Sequence, residues 1–152
     1  MQARMRNPVA VVPGAMEALH ALSSAVQQTG LPAKTARLME LRASQINGDA
    51  VCVDGHPRVM KKEGETDERI FAVAAWRQSP YFSEAERAAL GLAEAITRLS
   101  GLDDPVPDGI WKEAARHYDE RELAGLVLTA AVINVWNRLN IATRQIAGEW
   151  KP

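Results

Sequence analysis

Apolar positions along this chain recur at helical spacing, and nowhere do apolar and polar residues alternate over the length of a strand. After Pro13–Gly14, the residues Met16, Leu19, Leu22 and Val26 fall three or four apart until Gly30 ends the run. Pro32 sits in the first turn of a second segment, where its missing N–H costs nothing, and Asn47–Gly48 closes that segment with residues that tolerate a left-handed terminus. A third, short segment runs from Asp49 toward Glu63, and Gly55 and Pro57 are expected to break it. Thr66 opens a fourth, which ends before Pro80.

Ser83 and Glu86 form a capping box for a helix expected to continue to Gly101. Asp108 is expected to cap a short helix through His117, and Asp119 with Glu122 opens a long one ending near Gly148. The pattern predicts an all-α fold, a single domain over residues 1–152 with six or seven helices of roughly 10–25 residues.

Composition narrows the function. Eighteen Lys and Arg against 19 Asp and Glu give a net charge of -1, so no basic field marks a nucleic-acid or anionic-membrane partner. The uncharged stretch from Leu123 to Asn137 is too short for a membrane span and carries two asparagines. It reads as a helix buried nearly all round. The first residues lack the apolar run of a signal peptide, so a cytoplasmic, reducing location is expected. One cysteine excludes an intramolecular disulfide and a cysteine-rich zinc site, and His20, His56 and His117 are too far apart to resemble metal-ligand spacing. No metal or cofactor is expected.

Reactive side chains concentrate in one segment, Asn47 to His56. Cys52 and His56 are four apart and share a helix face. If Gly48 ends one helix, Cys52 lies in the first turn of the next, where N–H groups and the helix dipole favour a thiolate. A thiolate attacks peroxides and becomes a sulfenic acid. The alternative is a small buried hydrophobe between Val51 and Val53. Asp49 reads as a helix N-cap, as a carboxylate base, or as both. Asn134, Asn137 and Asn140, with Arg138 and Arg144, read as a polar seam against another subunit, with a ligand pocket as the alternative. His20 reads as a boundary residue and His117 as structural at a helix end. Trp76, Trp111, Trp136 and Trp150 read as core or interface anchors.

The stretch LRASQINGDAVCVDGH resembles the active-site segment of the carboxymuconolactone decarboxylase / alkylhydroperoxidase D-like superfamily, and NPVAVVPGAMEAL, GETDERIFAVAAWR and INVWNRLNIATRQ extend the likeness along the chain. The resemblance implies an alkylhydroperoxidase D-like helical fold and a homo-oligomer, trimeric or hexameric. It also implies thiol-dependent reduction of a small hydroperoxide, with Cys52 as the attacked nucleophile and His56 as its activating base. The chain departs from the peroxidase motif at two places. Asp49 stands where the first motif cysteine belongs, and Arg37 stands twelve positions before it, where the family often has a relay glutamate; Glu40 lies one turn on. Without the partner thiol, an oxidised Cys52 depends on an external thiol or a cysteine of another subunit. Two other functions stay open: a catalytically degenerate oligomeric binding module, and a cofactor-free decarboxylase of a small carboxylated lactone, which needs an acid/base group but no thiol.

Overall fold

The computed structural model of the chain describes residues 2–149. Among them the regular structure is entirely helical: α1 (Pro8–Val11), α2 (Ala15–Gln27), α3 (Ala33–Asn47), α4 (Ala50–Lys62), α5 (Asp67–Ala72), a 3₁₀ segment (Val73–Gln78), α6 (Glu84–Thr97), α7 (Asp108–Ala115) and α8 (Glu120–Thr143). The count exceeds the six or seven expected because α1 and α5 have only 4 and 6 residues.

The caps explain most boundaries. Thr66, Ser83 and Asp119 each accept a backbone N–H of the helix they open, and the last two complete capping boxes with Glu86 and Glu122. Several boundaries differ from expectation: Pro32 is the N-cap of α3 and not a residue of its first turn, and α7 ends at Ala115 rather than His117. α4 runs unbroken through Gly55 and Pro57. Pro57 and Val53, the residue one turn back whose carbonyl loses its helical partner, are both half-buried. α6 stops at Thr97 rather than Gly101. Asp108 is the first residue of α7 and not its cap; Pro107 holds that place, and the Asp108 carboxylate pairs with Lys112 at 2.8 Å. α8 ends at Thr143, where Arg144 turns left-handed at φ 54°.

Helix α3 is central and packs on α4, α6 and α8. One side of it contributes Met39 to a cluster with Leu92, Ala93, Leu126 and Ala130. The other contributes Leu38 and Leu41 to a cluster with Met60, Ile70, Trp76 and Leu90. Trp76 is thus a core anchor, whereas Trp111 is 41% exposed. Trp150 lies outside the described residues. Among the described residues no helix is long and apolar enough to cross a membrane.

The second cluster is tied to α6 by Glu94, which is 2% exposed. Its carboxylate accepts from Trp76 Nε1 at 2.9 Å, Arg42 Nε at 2.6 Å, Arg77 Nη1 at 2.7 Å and Arg98 Nη1 at 3.1 Å. Burial alone would push this carboxyl up, but the bonds from Trp76, Arg77 and Arg42 outweigh it and hold the pKa at about 2, against an ordinary 4.5. A carboxyl depressed in the fold stabilises above its unfolded pKa, and that contribution is lost as pH falls toward the folded value. Glu94→Gln is therefore expected to lose stability by about 3 kcal/mol at pH 7. The gap to the parent, read from denaturant midpoints, should close as pH falls from 4.5 to 2.

Candidate active site

The site is built where α3 ends and α4 begins. Gly48 adopts φ 73°, which an L side chain resists, and lets the chain turn so that the N–H groups of Gly48 and Asp49 both return to the Ser44 carbonyl. Asp49, 1% exposed, then caps α4: Oδ1 accepts from Val51 N at 3.0 Å and Cys52 N at 3.4 Å. Cys52 and His56 follow one turn apart, both buried.

The asparagines of α8 hold this turn from behind. Asp49 Oδ2 accepts from Asn137 Nδ2 at 3.0 Å and from Asn140 Nδ2 at 2.9 Å, and the same Asn140 amide is 3.6 Å from Cys52 Sγ. Asn137 also donates to Ser44 Oγ at 3.0 Å. Asn47 Nδ2 donates to the carbonyl oxygens of Asn134 at 2.9 Å and Asn137 at 2.8 Å. From the N-terminal segment, Asn7 Nδ2 donates to Asn140 Oδ1 at 3.0 Å. The polar face of α8 is thus not a seam against another subunit. Its three asparagines are buried inside the chain and fixed to α3 and to the Asp49 turn. Arg138 belongs to the same face, donating to Asn134, while Arg144 is exposed.

His56 is held by a carboxylate that spacing alone did not assign. His56 Nδ1 lies 3.4 Å from Glu40 Oε2. Arg37 Nη1 bonds the same Glu40 oxygen at 3.0 Å, while Arg37 Nε and Nη2 grip Glu63 at 3.1 and 3.0 Å. Arg37 thus occupies the sequence place of the relay glutamate, but Glu40, one turn on, is the carboxylate at the histidine.

Of the two readings of Cys52, a thiolate or a small buried hydrophobe, the surroundings favour the buried one, with Ala43 and Ile133 packed beside it. Burial pushes the Cys52 thiol well above the ordinary range. The negative charge of Asp49 beside it pushes it further, against smaller opposing contributions from Ser44 and Asn137. The N–H groups that would have favoured a thiolate are taken by Asp49 instead. Burial also pushes His56 down, and Arg37 adds to this against Glu40, Asp49 and Glu63, so the imidazole is neutral at pH 7.

Cys52 and His56 face a cavity of about 650 Å³. Its apolar wall includes Val9, Met16, Val132, Ile133 and Trp136, and Arg37 and Glu40 stand on its polar side. His20 is exposed and lies at this wall with its ring 6.4 Å from that of Trp136. His117 stays at the end of α7, 3.4 Å from Glu113, consistent with a structural place. Among the described residues no group of three or more His, Cys, Asp or Glu side chains converges to hold a metal. Sequence spacing did not assign Glu40, Ser44, Asn137 or Asn140 to the site. The available signal was the three-residue spacing of the asparagines, which puts them on one face.

The chain matches the carboxymuconolactone decarboxylase family over residues 13–95. It is 36% identical over 132 residues to an uncharacterized protein of Bacillus subtilis, YdfG, covering 87% of this chain and 88% of that one. A crystal structure from Agrobacterium tumefaciens, of a protein of unknown function and candidate AhpD antioxidant defence protein, is 32% identical with a TM-score of 0.88, covering 98% of this chain and all of the other. The debrominase Bmp8 in complex with 2,3,4-tribromopyrrole shares the fold, with a TM-score of 0.80 at 21% identity over 93% of this chain and 74% of its own.

Proposed function

This chain belongs to the carboxymuconolactone decarboxylase family, and from that premise we propose that it reduces hydroperoxides through Cys52 alone. The observation that carries the reading is the placement of Cys52 between the buried carboxylate that caps its helix, Asp49, and an organic-sized cavity shared with His56. The thiol is neutral at rest, so attack is coupled to proton removal rather than made by a standing thiolate. As Sγ bonds the terminal oxygen of the hydroperoxide and the O–O bond breaks, the thiol proton passes to Asp49 and from there to the departing alkoxide. The products are Cys52 sulfenic acid and an alcohol. His56, with Nδ1 turned to Glu40, presents its other nitrogen as the base that engages the hydroperoxide.

Consumption of an alkyl hydroperoxide, supported by a small thiol, tests this. His56→Gln is expected to lower the rate roughly 10–100-fold while leaving the thermal midpoint within a few degrees. An unchanged rate would remove His56 from the mechanism.

One observation favours a second reading: Cys52, 6% exposed and packed against Ala43 and Ile133, fits a site that has kept its cavity and lost its turnover, leaving a binding module. A homo-oligomer, trimeric or hexameric, is part of the proposal. The exposed Leu22 of α2 and Val135 and Ile141 of α8 support self-association, which light scattering on the purified protein reads directly.

A further inference from the structure

Resting on that reading, we infer that the thiol which restores oxidised Cys52 is a low-molecular-weight thiol without net negative charge that enters the cavity, not a redox protein. The single cysteine of the sequence leaves no internal resolving thiol, and any identical subunit offers only its own Cys52. That residue is 6% exposed and reached through the cavity, so two copies cannot bring their sulfurs to the roughly 2.05 Å of a disulfide without opening both sites. The same burial bars a surface cysteine of a redoxin. A cavity of about 650 Å³, by contrast, holds a small thiol together with the attacking second one.

Charge selects among such thiols. Glu40 and Glu149 line the cavity, Asp49 lies directly behind Cys52, and Glu63 closes on Arg37. The Arg37 guanidinium is held by both Glu40 and Glu63. An incoming carboxylate therefore meets more negative than positive charge in a partly desolvated space. The cycle balances with the thiol as sole reductant. Cys52 sulfenic acid and one thiol give a mixed disulfide and water. A second thiol then attacks the mixed disulfide, releasing the Cys52 thiol and a small-molecule disulfide, with two electrons passed in all.

The test installs the mixed disulfide chemically, with methyl methanethiosulfonate, so that it does not depend on hydroperoxide. Intact mass then follows release of the methylthio group by cysteamine, 2-mercaptoethanol and mercaptoacetate, each normalised to its rate on a small methyl disulfide, and by reduced thioredoxin. Cysteamine and 2-mercaptoethanol are expected to act about tenfold or more faster than mercaptoacetate, and thioredoxin about 100-fold slower than 2-mercaptoethanol at equal thiol. Glu149→Gln should narrow the charge preference. Release by thioredoxin at the rate of 2-mercaptoethanol, a preference for mercaptoacetate, or failure of the folded protein to take up the methylthio group would each overturn the inference. Normal release in a protein that forms no sulfenic acid would leave it standing and sink the hydroperoxide reading instead.

Discussion

Cys52→Ser is expected to abolish thiol-supported hydroperoxide reduction, a loss of about 10³-fold or more, while the protein keeps its fold. The direction follows from chemistry, because a serine oxygen cannot cycle through a sulfenic acid and a mixed disulfide. The fold should hold because the substituted atom is small and has polar neighbours on its Asp49 side, while Ala43, Ile133 and Trp136 pack around the rest of the residue. Asn140 Nδ2 lies 3.6 Å from Sγ, so a hydroxyl finds a partner at the same position. The stability change should stay within about 1 kcal/mol. The same variant separates thiol chemistry from acid/base chemistry. Cofactor-free decarboxylation of a carboxylated lactone would survive Cys52→Ser and fail in His56→Gln. Measuring both variants against a hydroperoxide and a lactone acid reads the difference.

Asp49→Asn is expected to split two properties that usually move together. Removing the charge takes away the second-largest cause of the raised thiol, so the Cys52 pKa, read from thiolate absorbance, should fall while remaining above an exposed thiol because burial persists. Turnover at pH 7 should nonetheless drop by about tenfold or more, since the acceptor of the thiol proton is gone. Stability should drop as well, by about 2–4 kcal/mol. Asn137 and Asn140 both donate to Asp49 Oδ2, and an amide nitrogen there would face two donors. Rotating either asparagine does not rescue the network, because their carbonyl oxygens already accept from Asn47 and Asn7. If Asp49→Asn were to raise turnover in step with thiol acidity, Asp49 would be only a cap.

The two roles of Asp49 differ in how far the sequence revealed them. A cap is local: an aspartate directly after a glycine that ends a helix meets N–H groups two and three residues on, and the Asp49 bonds to Val51 and Cys52 are of that kind. The helix placing Cys52 and His56 on one face was legible for the same reason. What closes on that face comes from residues about 90 positions away, and helical spacing carries no information about its neighbours. Asn134, Asn137 and Asn140 could be seen to share a side of α8, but not that α3 and the Asp49 turn lie against it. Glu40 escaped for a related reason. Sequence position put Arg37 in the relay place, while the packing of α3 on α4 brings the residue one turn on to 3.4 Å from His56. Between the thiolate and the buried thiol, spacing left open a competition that only the packing decides. Helix dipole and imidazole stood on one side, and burial with a capping carboxylate stood on the other. Pro57 did not break α4, which continues through it on a half-buried face.

The most direct measurement is trapping of sulfenic acid at Cys52. The protein is exposed to limiting alkyl hydroperoxide, labelled with a dimedone-type probe, and followed by intact mass from about pH 6 to 10, with Asp49→Asn alongside. Stoichiometric labelling of the parent at pH 7, where the thiol is still neutral, with slower labelling in Asp49→Asn, is the expected result. Labelling that arises only at high pH, in step with thiolate formation and equally in both proteins, would contradict proton-coupled attack through Asp49. No labelling at any pH would leave Cys52 a buried thiol in a cavity that binds without turning over.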